Sequence, residues 1–215
     1  MGEPVKETVL RIVQVRHGET DWNRNRRFQG QSDVALNETG RAQAAALALT
    51  LKDEPLKAIY SSPTTRAIET ARAINRYHQA SLEQRDGLME MDLGDFEGLQ
   101  SKDLMNEQPE FLRKWMEDPA TVRMPNGETL HEVQTRAWAV VEEITKTHYE
   151  GSVLLCGHNF VNLTILCKIL GLEITHFRHL RQSLGAINII ERSRGLYCLV
   201  RINDTCHLKG IDGPS

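Results

Sequence analysis

Three short stretches of the chain hold residues that could grip an anion and attack it: Arg16-His17-Gly18-Glu19, Arg66 behind Ser62-Pro63-Thr64-Thr65, and Gly157-His158-Asn159. A neutral imidazole nitrogen is a competent nucleophile without a metal-bound hydroxide. Guanidinium groups offer paired N–H donors to the oxygens of a phosphate or carboxylate. Each residue also has a plainer reading. A histidine after a strand is commonly a core or capping residue, and an arginine early in a helix commonly faces water. Their shared placement argues for more, because each follows a short apolar run, and ligands collect beyond the carboxyl ends of strands in open α/β sheets. Displacing an alkoxide also calls for an acid to protonate it. Glu90, Asp92, Asp95 and Glu97 are all candidates on residue type alone.

The elements that must bring these residues together can be read from pattern. The β-branched run 9–15 reads as a buried parallel strand, as do 58–61 and 152–156. The Ala- and Leu-rich segment 41–51, introduced by Asn37-Glu-Thr-Gly40, predicts a helix. Ser62 can cap a second helix, with Pro63 at its first position, running to about Tyr77. Arg66 then falls in a first turn, where free N–H groups favour an anion. Two helical pieces are predicted near 101–107 and 109–117, within an irregular stretch over 88–127. A third apolar stripe, from Leu130 through Ile144, predicts a long helix ending near His148. A helix to Leu170 follows the third strand, and a hairpin turning at Ser193-Arg194-Gly195 closes the chain. The alternation predicts a three-layer α/β/α sandwich with a mostly parallel central sheet, as one domain over 1–215.

Composition narrows the function classes. Lys plus Arg number 26 against 29 Asp plus Glu, a formal charge of −3, which disfavours a dedicated nucleic-acid binder. No apolar stretch is long enough to span a bilayer, and the polar residues 1–7 carry no secretory signal pattern. The four cysteines, 156, 167, 198 and 206, form no C-x-x-C pair. Cys156, Cys167 and Cys198 lie in apolar runs and read as buried reduced thiols. Neither Cys206-His207 nor His176-x-x-His179 has the further ligands a metal site needs. A cytoplasmic protein without metal or cofactor is expected.

The stretch 10–20, LRIVQVRHGET, continued by Asp21-Trp22-Asn23, resembles the signature of the histidine phosphatase superfamily, the phosphoglycerate-mutase-like group. Residues 28–33 (FQGQSD), 36–40 (LNETG) and 61–66 (SSPTTR) are similar to further family motifs, as are Leu88-Met-Glu90, Gly94, Glu97-Gly98, Asn126-Gly-Glu128 and Gly157-His158. The resemblance spans about residues 9–208 and implies a phosphohistidine mechanism. His17 would be the nucleophile. Arg16, Arg66 and a protonated His158 would hold the phosphoryl oxygens, and Asn23 with the backbone at Gln29-Gly30 would complete the cradle. Glu90 matches the family's general acid, and Glu97 reads as structural. Asn159 stands where many members have a second glycine.

The superfamily includes phosphomonoester hydrolases and bisphosphoglycerate-dependent mutases. Mutases resemble one another in a longer, more basic insertion after the acid. Here the variable segment 91–126 is short, with Lys102, Arg113, Lys114 and Arg123 and no adjacent arginine pair. Arg26-Arg27 lies elsewhere and reads as surface. The resemblance therefore implies a phosphatase acting on a small phosphorylated metabolite, with the mutase and a non-catalytic phospho-ligand domain as alternatives. The 91–126 segment would roof the pocket, with Phe96, Phe111, Trp115 and Met116 either lining it or packing the roof onto the body. Homodimers are common in the family, although no residue pattern here marks an interface.

Overall fold

A computed structural model describes residues 8–211; the N-terminal stretch 1–7 lies outside the described residues. The central sheet has six strands: β1 (Leu10–Arg16), β2 (Leu56–Ser61), β3 (Ser81–Gln84), β4 (Gly151–Gly157), β5 (Ile187–Ser193) and β6 (Leu196–Asp204). Their order is β3-β2-β4-β1-β5-β6. The first four strands are parallel, and β5 and β6 form the antiparallel hairpin at one edge.

Both faces of the sheet are buried, which is why its strands read as near-continuous apolar runs. Ile12, Tyr60, Val153 and Leu155 face one core, shared with α6 (Leu130–Thr147) and α7 (Asn159–Leu170). Val13, Val15, Ile59, Leu154 and Cys156 face the other, against α2 (Glu38–Leu51) and α3 (Thr65–Asn75). Each apolar side chain so buried contributes roughly 1.5–3 kcal/mol before the entropy of ordering it. The expected three-layer sandwich is therefore the observed one.

Local details depart from the sequence reading. α3 begins at Thr65 with Thr64 as its cap position, two residues later than expected. The Ser62 amide is instead donated to the Cys156 carbonyl at 3.0 Å, so the chain still behaves as sheet there. The short α1 (Asp21–Arg24) and the polar edge strand β3 are additions that carry no apolar pattern. Cys198 is exposed rather than buried, because β6 is an edge strand with much of its side-chain surface in water. The two predicted pieces α4 (Ser101–Glu107) and α5 (Pro109–Glu117) are present. No helix among the described residues is long and apolar enough to cross a membrane.

Candidate active site

Arg16 ends β1, His17 follows it, His158 follows β4, and Arg66 is the second residue of α3, just beyond β2. Since β4 lies between β2 and β1, these ends are neighbours along one edge of the sheet. The His17 and His158 rings stand 5.0 Å apart, centre to centre. The turn after His17 needs glycine at two places. A Cβ on Gly18 would meet the Gly40 carbonyl at 2.4 Å, and one on Gly40 would meet the Glu19 carbonyl at 2.0 Å. Side chains at either position would push α2 off the site. Asn37 completes the seam by capping Gly40 at 2.8 Å and donating to Glu19 at 2.7 Å.

The His17 Nδ1 lies 2.6 Å from the Gly18 carbonyl oxygen. A carbonyl only accepts, so Nδ1 carries the hydrogen and Nε2 keeps its lone pair. Burial first, then the charges of Arg66 and Arg16, hold the imidazole well below the usual histidine range. It is neutral at pH 7. The same forces act on His158, where burial, Arg66, His17 and Arg16 push the pKa far down. In the anion-free site, burial and the two guanidiniums thus disfavour the protonated His158 that the resemblance implies.

Two polar atoms in this cluster are buried with no hydrogen-bond partner, Arg16 Nε and His158 Nδ1. Buried polar groups are normally satisfied, so orphans at a cationic centre fit an incoming oxyanion. Arg16 Nη1 donates to the Gln182 carbonyl at 2.6 Å and stands 3.5 Å from Asn159 Oδ1. His158 Nε2 lies 3.3 Å from Thr64 Oγ1. Burial lowers Arg16 to about 10, with Glu90 opposing the shift and Arg66 adding to it. Burial also brings Arg66 to about 10, against the pull of Glu90, Asp33 and Glu97. Both stay charged at neutral pH.

The motif 28–33 is a socket for Arg66. Its Nη2 donates to the Gly30 carbonyl at 2.7 Å and its Nη1 to the Ser32 carbonyl at 2.8 Å. The Gln29 amide, oriented with oxygen toward the guanidinium, accepts from Nη1 at 3.1 Å and Nε at 3.2 Å. Asp33 accepts from the Thr65 amide and hydroxyl, each at 2.7 Å, and so caps α3. The Gln29 side chain and the Gly30 carbonyl thus act on Arg66, while the backbone N–H groups expected to cradle the ligand take no part in these contacts. Asn23 is tied through Oδ1 to the Thr20 amide at 3.1 Å, which leaves its Nδ2 as the group able to face a ligand.

Among the four acidic candidates, surroundings separate Glu90 from the rest. The residue is 4% exposed, and its carboxylate accepts from the amides of Met91 at 2.9 Å and Phe160 at 3.1 Å. Burial raises its pKa, partly opposed by those amides, Arg16 and Arg66. A carboxyl displaced upward in this way holds a proton more readily than an exposed one, as a general acid must. Glu97 is spent on the socket, accepting from the Gln31 amide at 2.6 Å, the Ser32 amide at 2.8 Å and the Ser32 hydroxyl. Asp92 accepts from the Gly94 amide at 2.8 Å, and Asp95 from Asn126 on the surface.

Sequence reasoning passed over Arg136. It donates to both Glu128 oxygens, at 2.8 and 2.9 Å, and to the carbonyls of Gly87, Met89 and Glu90 at 3.0, 2.6 and 2.9 Å. It therefore fixes the backbone that presents Glu90. The available signal was a cation on the apolar stripe of α6, three residues after Val133 and four before Val140. Phe96 and Phe111 stack edge to face at 4.8 Å, and Trp115 packs on Phe160 and Phe177 at 6.3 Å each. The first pair packs within the 91–126 segment and the Trp115 contacts fasten that segment to the body, whereas Met116 points to water.

A mostly parallel α/β sheet with paired histidines and arginines at its carboxyl edge defines a phosphoglycerate-mutase-like phosphoryl-transfer protein. Residues 12–205 match the profile of the histidine phosphatase superfamily, branch 1. The chain belongs to that family and is an enzyme of the phosphoric monoester hydrolase type. It is 32% identical over 200 residues to phosphoserine phosphatase 1 of Hydrogenobacter thermophilus, covering 93% of this chain and 95% of that one. It is also 32% identical over 173 residues to the probable phosphoglycerate mutase GpmB of Photorhabdus laumondii, covering 80% of each. Among solved structures, Bacillus stearothermophilus YhfR superposes with a TM-score of 0.87 at 30% identity, over 93% of this chain and 99% of that one.

Proposed function

We propose that the protein hydrolyses small phosphorylated metabolites through a phosphohistidine on His17, without a metal ion. The observation that carries this reading is the His17 Nδ1 contact to the Gly18 carbonyl, which leaves Nε2 free beside Arg16, Arg66 and His158. Nε2 attacks phosphorus in line as the ester P–O bond breaks, and Glu90 gives its proton to the departing oxygen. Arg16, Arg66 and His158 carry the charge spread over the phosphoryl oxygens. Arg66 supplies chiefly fixed charge, since its socket uses most of its N–H groups. Water then attacks phosphorus, Glu90 takes the water proton, the P–N bond breaks, and inorganic phosphate leaves with His17 restored. Among the described residues no group of three His, Cys, Asp or Glu is placed to hold a metal ion.

The test is to trap the intermediate. Acid-labile, base-stable radiolabel should appear on the wild type during turnover and be absent from His17→Ala. Turnover should survive exhaustive chelation. In labelled water, one labelled oxygen should enter each phosphate released. The similarity to GpmB favours a second reading, transfer between hydroxyls of one glycerate skeleton. That reading prevails if bisphosphate-primed interconversion of 2- and 3-phosphoglycerate outruns every hydrolysis about a hundredfold, a preference of nearly 3 kcal/mol in the barrier.

A further inference from the structure

A cleft of about 590 Å³ opens from the candidate active site, within the range of small-ligand pockets. It shares Arg16, Asn23 and Asn159 with that site, but neither histidine nor Arg66 lines it. The cleft is therefore where the part of a substrate beyond the transferred phosphoryl group would lie. Its charge is one-sided. Arg26 and Arg27, just after α1, and Arg178 and Arg181, between α7 and β5, line it together with Arg16, and no aspartate or glutamate does.

Elsewhere on this net-negative chain, arginines are commonly paired with carboxylates, as in Arg24–Glu19, Arg85–Glu83 and Arg136–Glu128. The four added arginines here have no carboxylate partner among the described residues. Arg27 donates to the Gly98 carbonyl at 2.6 Å, and Arg178 to the Trp115 carbonyl at 3.2 Å. The Arg178 guanidinium also lies 4.8 Å from the Phe177 ring centre. Both carbonyls belong to the 91–126 segment, so that segment orients two of the four cations. The side chains of Arg26 and Arg181 have no partner among the described residues. Gln182, which also lines the cleft, is 3% exposed, and its Nε2 has no hydrogen-bond partner. Crowded like charges in a concave wall focus a positive potential, and a buried orphan donor beside them leaves an acceptor to be supplied.

We propose that this arginine wall is a second anion subsite, so that the preferred substrate is a phosphomonoester bearing a further anionic group, carboxylate or phosphate, on the same small skeleton. The inference rests on the phosphatase reading for its first subsite and adds a specificity that reading does not require. Arg181 and Arg26 are the determinants free to turn toward the second anion, while Arg27 and Arg178 are held as a fixed field.

The experiment compares matched substrates. Phosphoserine against phosphoethanolamine isolates a carboxylate, and fructose 1,6-bisphosphate against fructose 6-phosphate isolates a second phosphate. In the wild type, kcat/KM should favour the member with the second anion in at least one pair, by roughly 10- to 100-fold, the range of one hydrogen bond to a charged group. Arg181→Gln and Arg26→Gln, both at exposed positions, should shrink that ratio through KM, and 0.5 M salt should do the same to the wild type. The pair that shows the ratio identifies the anion. Dissociation constants for the same compounds on His17→Ala should give the same ratio even if turnover proves to follow another route. Hydrolysis of p-nitrophenyl phosphate, which has no second anion, reports on the phosphatase reading separately. Ratios near one in both pairs, or ratios untouched by both substitutions, overturn the subsite whatever that control shows.

Discussion

Replacing Glu90 by glutamine separates chemistry from architecture at this site. The carboxylate accepts from the Met91 amide at 2.9 Å, from the Phe160 amide at 3.1 and 3.2 Å through its two oxygens, and from the Val161 amide at 3.4 Å. A glutamine oxygen at the Oε1 position keeps all but the shared Phe160–Oε2 contact, so lost hydrogen bonding should cost no more than about 1 kcal/mol. The charge effect runs the other way. Burial raises the folded-state pKa of Glu90, so its contribution to stability is fully present below the ordinary carboxyl range and is lost as pH rises through the folded value. At pH 7 to 8, where the unfolded carboxyl is ionised, burying it is a net burden, which glutamine removes. The melting midpoint of Glu90→Gln should therefore hold or rise there, and its advantage should vanish toward pH 4. Catalysis should suffer selectively. Loss of a general acid typically costs about 10²- to 10⁴-fold, roughly 3–5 kcal/mol in the barrier. That loss should appear in kcat/KM for alkyl phosphates and be much smaller for p-nitrophenyl phosphate, whose leaving group departs without a proton. The quantity must be kcat/KM, because it reports the first transfer and not the later attack by water. Equal losses on both ester types would refute the acid role, and a fall of many degrees in the midpoint at pH 7 would refute the structural argument.

Arg136→Gln should lower kcat/KM for alkyl phosphates at least tenfold while sparing aryl phosphates more, since it reaches the chemistry only through Glu90; an unaltered alkyl-to-aryl ratio would leave Arg136 a merely structural residue. His17 and His158 are held neutral by burial and by Arg66, so the unfolded chain takes up protons below about pH 6.5 that the folded chain refuses. The melting midpoint should fall from pH 6.5 toward 5 in phosphate-free buffer and recover when inorganic phosphate supplies the counter-charge; a flat profile would contradict the assigned neutrality. A thiol reagent should label Cys198 and Cys206 in the native protein and reach Cys156 and Cys167 only on unfolding, because burial also pushes these two thiols up to about 12 and about 11. Native labelling of Cys156 would mean that the α3 side of the sheet opens readily.

Much of the architecture was legible because both faces of the sheet are covered. Strands β1, β2 and β4 then have to be short β-branched or apolar runs, and the helices between them have to carry apolar stripes. His17, Arg66 and His158 were legible for the same reason, since strand ends are marked by where an apolar run stops; Glu90, in a loop beyond β3, stood out from its acidic neighbours only through the family resemblance. β3 left no such mark, since a four-residue polar edge strand gains its pairing from β2 and little from its own side chains. Cys198 was misjudged because an apolar run does not say whether its strand lies at the middle or the edge of a sheet.

What only the tertiary structure decided is which charges meet. Residue types alone left four carboxyl candidates; burial beneath the start of α7 raises Glu90, while Glu97 is consumed by the Arg66 socket and Asp95 by Asn126. Only the folded neighbours show that the His158 imidazole is pushed down, because a pKa is set by desolvation and nearby charge rather than by residue type. Arg26 and Arg27 are exposed, as their polarity suggested, yet they share a cleft with Arg178 and Arg181 from the far end of the chain. Local sequence governs hydrogen-bonding pattern and apolar period over a few residues. Electrostatics acts through space, and Arg26 and Arg181, which share the cleft, lie 155 positions apart in the sequence.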